Sequence, residues 1–207
     1  MEDTRSLNNE YNRIDQLSQK VKQTLSQNPE EALALAQEVY HASLEANYLK
    51  GICLSHYQIG LAYWRLGQLF ETLDNLHEAD QLTKEVEGTN IEVEILNALG
   101  NVYLDLQVYD SAYTYYQIGL QMAVSKNQEY MKSSILSNIG EIYRELNDYD
   151  SAIELYLLSL SGLKEDNDID RRIYPLSNIA AVYLAQQEFS KAEEYALLSL
   201  DLSRKCN

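Results

Sequence analysis

The chain repeats itself every forty residues. The stretch LSNIGEIYRELNDYDSAIELYLLSL, Leu136 to Leu160, has counterparts in LNALGNVYLDLQVYDSAYTYYQIGL from Leu96, HYQIGLAYWRLGQLFETLDNLHEAD from His56 and LSNIAAVYLAQQEFSKAEEYALLSL from Leu176. The copies align on Gly60, Gly100, Gly140 and Ala180, with Ile59, Leu99, Ile139 and Ile179 just before and Tyr63, Tyr103, Tyr143 and Tyr183 three residues on. Twelve residues after the alignment point stand Thr72, Ala112, Ala152 and Ala192, and sixteen after it Leu76, Tyr116, Tyr156 and Ala196. A fixed period of this kind means that one small unit is stacked on its own copies, each burying an apolar side that it cannot bury alone.

Within a copy the apolar spacing is three and four, the period of a helix. Leu136, Ile139, Gly140, Tyr143 and Leu146 share one helical face. Asn147-Asp148 follows, a pair that tolerates a left-handed turn and can cap a new helix. Ala152, Ile153, Tyr156 and Leu160 then mark a second helix. Each copy is therefore expected to be a helix hairpin. Gly140 and Ala152 let its two helices approach, and Tyr143 and Tyr156 fill the space beside them. Pro29 and Pro175 are the only prolines, which permits long helices almost everywhere.

The first fifty residues carry a degenerate copy, with Ala32 forty residues before Thr72. Asn28-Pro29-Glu30-Glu31 is a helix start: a capping residue, proline at the first helical position, then acids at the positive end. The preceding helix carries Leu7, Ile14, Leu17, Val21 and Leu25, while Lys20 and Gln23 stand where the glycine and tyrosine are expected. Residues 1–50 are thus expected to form an N-terminal cap hairpin, followed by hairpins at 51–88, 89–128, 129–168 and 169–207. At the other end, Leu198, Leu200 and Leu202 are expected on a face that another element would cover. Either the chain is a piece of a longer protein, or a second chain covers this end as a homodimer through the uncapped C-terminal hairpin.

The alternation of small and aromatic positions resembles the tetratricopeptide repeat, whose common unit is about 34 residues. The extra residues here are expected to lengthen the second helix and its exit loop, as in Asp80 to Glu87 followed by Gly88-Thr89-Asn90. The proline usual at the end of the shorter unit is missing at Lys84, Val124 and Lys164. The longer form looks like repeats in sensor regions preceding bacterial diguanylate cyclase or kinase domains, in quorum-peptide receptors and in eukaryotic Leu-Gly-Asn repeat adaptors. The resemblance implies an all-α fold, a right-handed α-solenoid of about five hairpins. Its function would be non-catalytic protein–protein or peptide binding, in the sensory or regulatory region of a bacterial signalling protein. The alternatives are an oligomerisation module regulating an attached cyclase or kinase domain without a peptide ligand, and a stand-alone adaptor.

Composition narrows the partners. A formal net charge of −16 repels phosphate backbones and anionic lipid, so nucleic acid and membrane surfaces are disfavoured. No apolar run approaches the length of a membrane span, and Cys53 and Cys206 show no framework spacing, which fits a reducing, cytoplasmic location. No metal or cofactor is expected. Cys53 and His56 lie three apart, but His56 occupies the packing position of Leu96, Leu136 and Leu176. Asp166, Asp168 and Asp170 look like the start of a calcium loop, but Arg171 and Ser177 replace its glycine and closing glutamate. No phosphate loop, no nucleophile motif and no catalytic constellation is present, so the chain is not expected to be an enzyme.

The resemblance places the partner on the concave wall lined by the first helices. Carried over by register, the wall residues are Tyr57, Leu61, Trp64 and Arg65 in the second hairpin, and Asn97, Asn101, Leu104 and Asp105 in the third. In the fourth they are Asn138, Glu141, Arg144 and Glu145, and in the fifth Tyr174, Asn178, Ala181 and Leu184. Asn138 and Asn178 match the position at which related repeats hold peptide backbone, where a side-chain amide offers both donor and acceptor. Trp64, the single tryptophan, is either a groove anchor or a packed side chain. Arg65 and Arg144 stand isolated among acids, so a clamp for a C-terminal carboxylate is not matched, and a peptide with basic and apolar residues fits better. A second surface could involve Tyr115, Leu157 and Leu197; the two leucines either seal neighbouring helices or face a partner.

Overall fold

A computed structural model describes residues 2–86, 91–163 and 168–206, and side chains from residue 8 onward. The expected exit loop from Glu87 to Asn90, Lys164, Asp166 and the side chain of Leu7 lie outside the described residues. Among those described, all regular structure is helical: α1 (Glu2–Thr24), α2 (Pro29–Glu45), α3 (Leu49–Arg65), α4 (Leu69–Thr83), α5 (Glu92–Asp105), α6 (Tyr109–Ser125), α7 (Glu129–Glu145), α8 (Tyr149–Ser161), α9 (Ile169–Ala185) and α10 (Phe189–Cys206).

The chain divides into two compact units, Met1–Leu106 with α1–α5 and Gln107–Asn207 with α6–α10. In the first unit each helix packs on the next, and α3 also touches α1 and α5. In the second each helix again packs on the next, and α7 also touches α9. Hairpin partners packed in sequence, with first helix against first helix, make this an all-α solenoid of tetratricopeptide type.

The hairpin contact follows from the small residues. A Cβ added to Gly140 of α7 would lie 2.8 Å from Cε1 of Tyr156 on α8. Tyr156 is fully buried, in a cluster with Ala152, Ile179 and Val182, and Tyr143, Ile153, Leu160, Tyr183 and Tyr195 pack around it. This cluster draws on α7, α8, α9 and α10, so no single hairpin completes it. Burying a side chain such as Ile179 contributes about 1.5–3 kcal/mol, while fixing each residue's backbone costs about 1–2 kcal/mol. A lone hairpin, with one flank wet, falls short. In the first unit Gly60 of α3 faces Leu76 of α4, and an added Cβ would lie 3.1 Å from that side chain. The N-terminal hairpin joins the same construction through Ile14, Val21, Ala32, Ala36, Val39, Ala46 and Ile59. Gln58 ties α3 to α1, its amide donating to the carbonyl and the hydroxyl of Ser18 at 2.8 Å each.

The turns obey the period as well. Positive φ occurs at Asn47, Gly67, Gln107, Asn127, Asn147 and Gln187, always one residue past a helix C-cap. The next residue's N–H then reaches back five residues, as from Tyr48 to Ser43, Asp148 to Tyr143 and Glu188 to Tyr183, which satisfies a carbonyl left open at the helix end. Asn28 caps α2 by accepting from the Glu31 N–H, and Asp148 caps α8 by accepting from Ser151.

Three local expectations are corrected. α4 ends at Thr83, so the second helix is not extended to Glu87. Leu146 does not share the packed face of α7: it is the C-cap and is 55% exposed, because the chain turns left-handed at Asn147 and swings it out. Leu157 and Leu197 are 45% and 57% exposed and do not seal neighbouring helices. α9 runs through Pro175, which is buried. A proline there leaves the carbonyl of Arg171 without its helical donor.

Gly140→Ala should lower stability by about 1 kcal/mol or more, because the clash with the buried Tyr156 ring outweighs the roughly 1 kcal/mol gain in helix propensity. Gly60→Ala meets a leucine at a looser distance and should cost less. Urea unfolding of both variants, followed by circular dichroism, checks the order.

Candidate binding surface

In the first unit α3 is covered by its hairpin partner α4 and by α1 and α5, and in the second α7 is covered by α8 and α9, which leaves one stripe open along each first helix. On α3 the stripe is Tyr57, Leu61 and Trp64, half-buried, with Arg65 exposed at the end. On α5 it is Asn97, Asn101 and Leu104, half-buried, with Asp105 exposed. On α7, Asn138, Glu141 and Arg144 are half-buried and Glu145 is exposed. On α9, Asn178 is half-buried while Tyr174, Ala181 and Leu184 are exposed. Each set recurs at three- and four-residue steps, so each lies on one face of its helix.

In the first unit the stripes of α3 and α5 are joined by one bond: the indole N–H of Trp64 donates to Asp105 Oδ2 at 2.7 Å. Trp64 is thus neither a free anchor nor a core side chain, but an oriented ring on the surface.

In the second unit Glu141 is the hub. Its Oε2 accepts from Arg144 Nε at 3.1 Å, from the Tyr156 hydroxyl at 3.0 Å and, more distantly, from Asn178 Nδ2 at 3.4 Å. Arg144 Nη2 donates to the other oxygen of Glu141 and, at 2.6 Å, to Glu145 Oε1. The bonds to Glu141 hold the Arg144 guanidinium above its ordinary range, and burial followed by the Glu141 charge raises the Tyr156 phenol. One carboxylate thereby links α7, α8 and α9, and two acids around one guanidinium leave the stripe net negative. Tyr156 is the member that the sequence reading missed, having been assigned to packing alone. The available signal was that a buried tyrosine hydroxyl needs a partner. Among the aromatic positions of α6, Tyr116 is buried, and Tyr113 and Tyr115 are half-buried. The charge of the Tyr113 phenol, then burial and the hydrogen bond to Tyr113, raise the Tyr143 phenol.

The tetratricopeptide repeat model matches residues 91–165 and again residues 131–205, together more than half of the chain. The chain belongs to the tetratricopeptide repeat family. No curated protein matches it. Among solved structures, this tetratricopeptide repeat protein is similar to BtubC from P. vanneervenii, with 18% identity over 97% of this chain and 92% of that one, at a TM-score of 0.69. Aspartyl phosphate phosphatase F from Bacillus subtilis gives 19% identity over 90% of this chain and 49% of that one, at a TM-score of 0.78. The Rap conjugation gene regulator of plasmid pLS20, in complex with the Phr* peptide, gives 17% over 89% and 51%, at 0.76. The chain spans about half the length of the latter two, and identities this low speak to the fold.

Two histidines of the tetratricopeptide repeats, His56 and His77, are half-buried, while His41 is exposed. His56 Nδ1 lies 3.1 Å from Asn75 Oδ1 with its ring edge-on to Tyr40, and His77 Nε2 lies 3.3 Å from the Tyr103 hydroxyl. Among the described residues, no group of three or more His, Cys, Asp or Glu is placed to hold a metal ion. In the acidic loop, Asp168 is paired with Arg171 at 2.6 Å. No described helix is long and apolar enough to cross a membrane.

Both cysteines are free, Cys53 buried and Cys206 exposed. The Cys53 thiol donates to the Ala79 carbonyl at 3.5 Å, and burial, with the charges of Glu92 and Asp80, pushes its pKa from 9.0 up to about 11. A thiol reagent at about pH 8 should therefore label Cys206 alone in the folded chain and both cysteines in denaturant. Folding favours the neutral Cys53 thiol, so this contribution to stability is complete below pH 9 and is lost between pH 9 and about 11.

Proposed function

We propose that this chain is a non-catalytic scaffold that holds a peptide, or a segment of another protein, in the concave groove along the open stripes of its first helices. We further infer that it serves as the sensory or regulatory region of a bacterial signalling protein in the cytoplasm. The observation that carries this reading is the composition of the stripes. Positions left open on α3, α5, α7 and α9 hold side-chain amides, paired charges and aromatic rings, groups that bind an extended chain rather than react with it. The peptide complex of the pLS20 regulator supports the choice of ligand class. One similar protein is a phosphatase, but it is about twice the length matched here, and its activity is not carried over.

Peptides selected from a random library should bind with affinities that Asn138→Ala and Asn178→Ala each weaken by about tenfold, the worth of one hydrogen bond of roughly 1–1.5 kcal/mol. Fluorescence anisotropy measures this. If both variants bind every selected peptide as tightly as the wild type, the groove reading is wrong.

A second reading, a homodimer that would regulate an attached cyclase or kinase domain without a peptide, is favoured by the exposed row Leu197, Leu198 and Leu200 on α10. Sedimentation velocity should then show concentration-dependent self-association that Leu197→Glu abolishes; a monomer at all concentrations rejects this reading.

A further inference from the structure

We propose that Trp64 and Asp105 together form a subsite for the cationic side chain, lysine or arginine, of a bound peptide. This rests on the peptide reading above and names the chemistry of one ligand residue.

The argument begins with what Asp105 lacks. It is the last residue of α5, where unpaired carbonyls make the negative end of the helix dipole, a poor place for a carboxylate. The residues in register elsewhere are Arg65 on α3, Glu145 on α7 and Ala185 on α9. Arg65 is a cation and suits its helix end, while Glu145 is paired with Arg144 at 2.6 Å. Asp105 alone is an acid with no cation: among the described residues its one recorded partner is the Trp64 indole, and no ion pair joins it to the neighbouring Arg65. The bond occupies Oδ2 and leaves the second carboxylate oxygen open on an exposed residue.

The same bond fixes the indole. Held by its N–H, the half-buried ring lies beside the uncompensated carboxylate. A cation placed there meets the ring quadrupole, the carboxylate and the negative end of α5 at once. Asn101 and Asn97 lie one and two turns before Asp105 on the same half-buried stripe, along which the adjacent peptide backbone would run. That arrangement points to a peptide side chain rather than a free cation. The chain's net charge of −16 adds long-range attraction for such a ligand.

Trp64 is the single tryptophan, so its emission reports the site directly. The probes are blocked pentapeptides of alanine and leucine with lysine or arginine at the centre, the same peptides with norleucine or citrulline there, and N-acetyl-arginine amide alone. The lysine and arginine peptides should change Trp64 emission saturably and bind about tenfold or more tighter than their neutral counterparts, an advantage that shrinks as salt is raised. N-acetyl-arginine amide should bind more weakly than either cationic peptide. Asp105→Asn, which keeps a hydrogen-bond acceptor for the indole, should erase the preference for the cation without lowering the thermal unfolding midpoint, since it removes a negative charge from the C-terminal end of α5. Trp64→Phe, read by anisotropy of labelled peptides, should reduce it in part.

Equal binding of cationic and neutral peptides overturns the subsite, as does a preference that survives Asp105→Asn. So does the absence of any response to the cationic peptides. If neutral peptides bind with sensitivity to Asn138→Ala while the cation makes no difference, only the subsite falls and the groove reading stands.

Discussion

Everything in this chain depends on how near two antiparallel helices can come. Where α7 lacks a side chain at Gly140, the ring of Tyr156 lies against bare backbone, and the contact is closed by residues of α9 and α10. The hairpin is therefore incomplete by construction. Its second helix shows an apolar flank that only the following first helix covers, and repetition is the way to satisfy it. The same demand explains why the open stripe is narrow. α3, packed on α4 and on both α1 and α5, has one row of positions left for anything else.

The two units use that row differently. In the second, Glu141, Arg144, Glu145, Tyr156 and Asn178 satisfy one another, and the charges are largely spent on holding three helices in register. In the first, the acid at the end of α5 is met by an indole and by nothing positive among the described residues. The former arrangement is cross-linked through a shared guanidinium; the latter has an acid with no cation beside it. Buried or half-buried charge clusters of the first kind specify geometry, whereas an exposed acid beside an oriented ring is selective for what approaches it.

Much of the architecture was legible in the sequence, because a forty-residue period constrains all copies at once. Gly140, Tyr143, Ala152 and Tyr156 are recognisable only by comparison with their counterparts, and the comparison sufficed to pair the helices and assign their faces. Element ends were less legible. Thr83 ends α4 although Lys84 and Glu85 are sound helix formers, since the end is decided by the turn rather than by propensity. Leu146 carries the apolar spacing yet leaves the face, because periodicity cannot see a left-handed residue next door. Pro175 lies within α9, between the stripe residues Tyr174 and Asn178, where burial outweighs one missing hydrogen bond. For the surface, register identified which residues share a stripe but not who bonds to whom. Trp64 with Asp105, and Glu141 with Asn178, are joined across neighbouring repeats, and such pairs depend on rotamers that spacing does not encode.

The turns carry a consequence for how far this molecule stands from its own optimum. Gln107 and Gln187 adopt φ of 58° and 62°, a region where a side chain is crowded by the following carbonyl, while Gly67 meets the same geometry at 74° without that conflict. The architecture thus asks for glycine and accepts glutamine. Stability is left in reserve at the joints, so a lineage of such chains has room to absorb costly changes on its recognition surface and to recover the loss there.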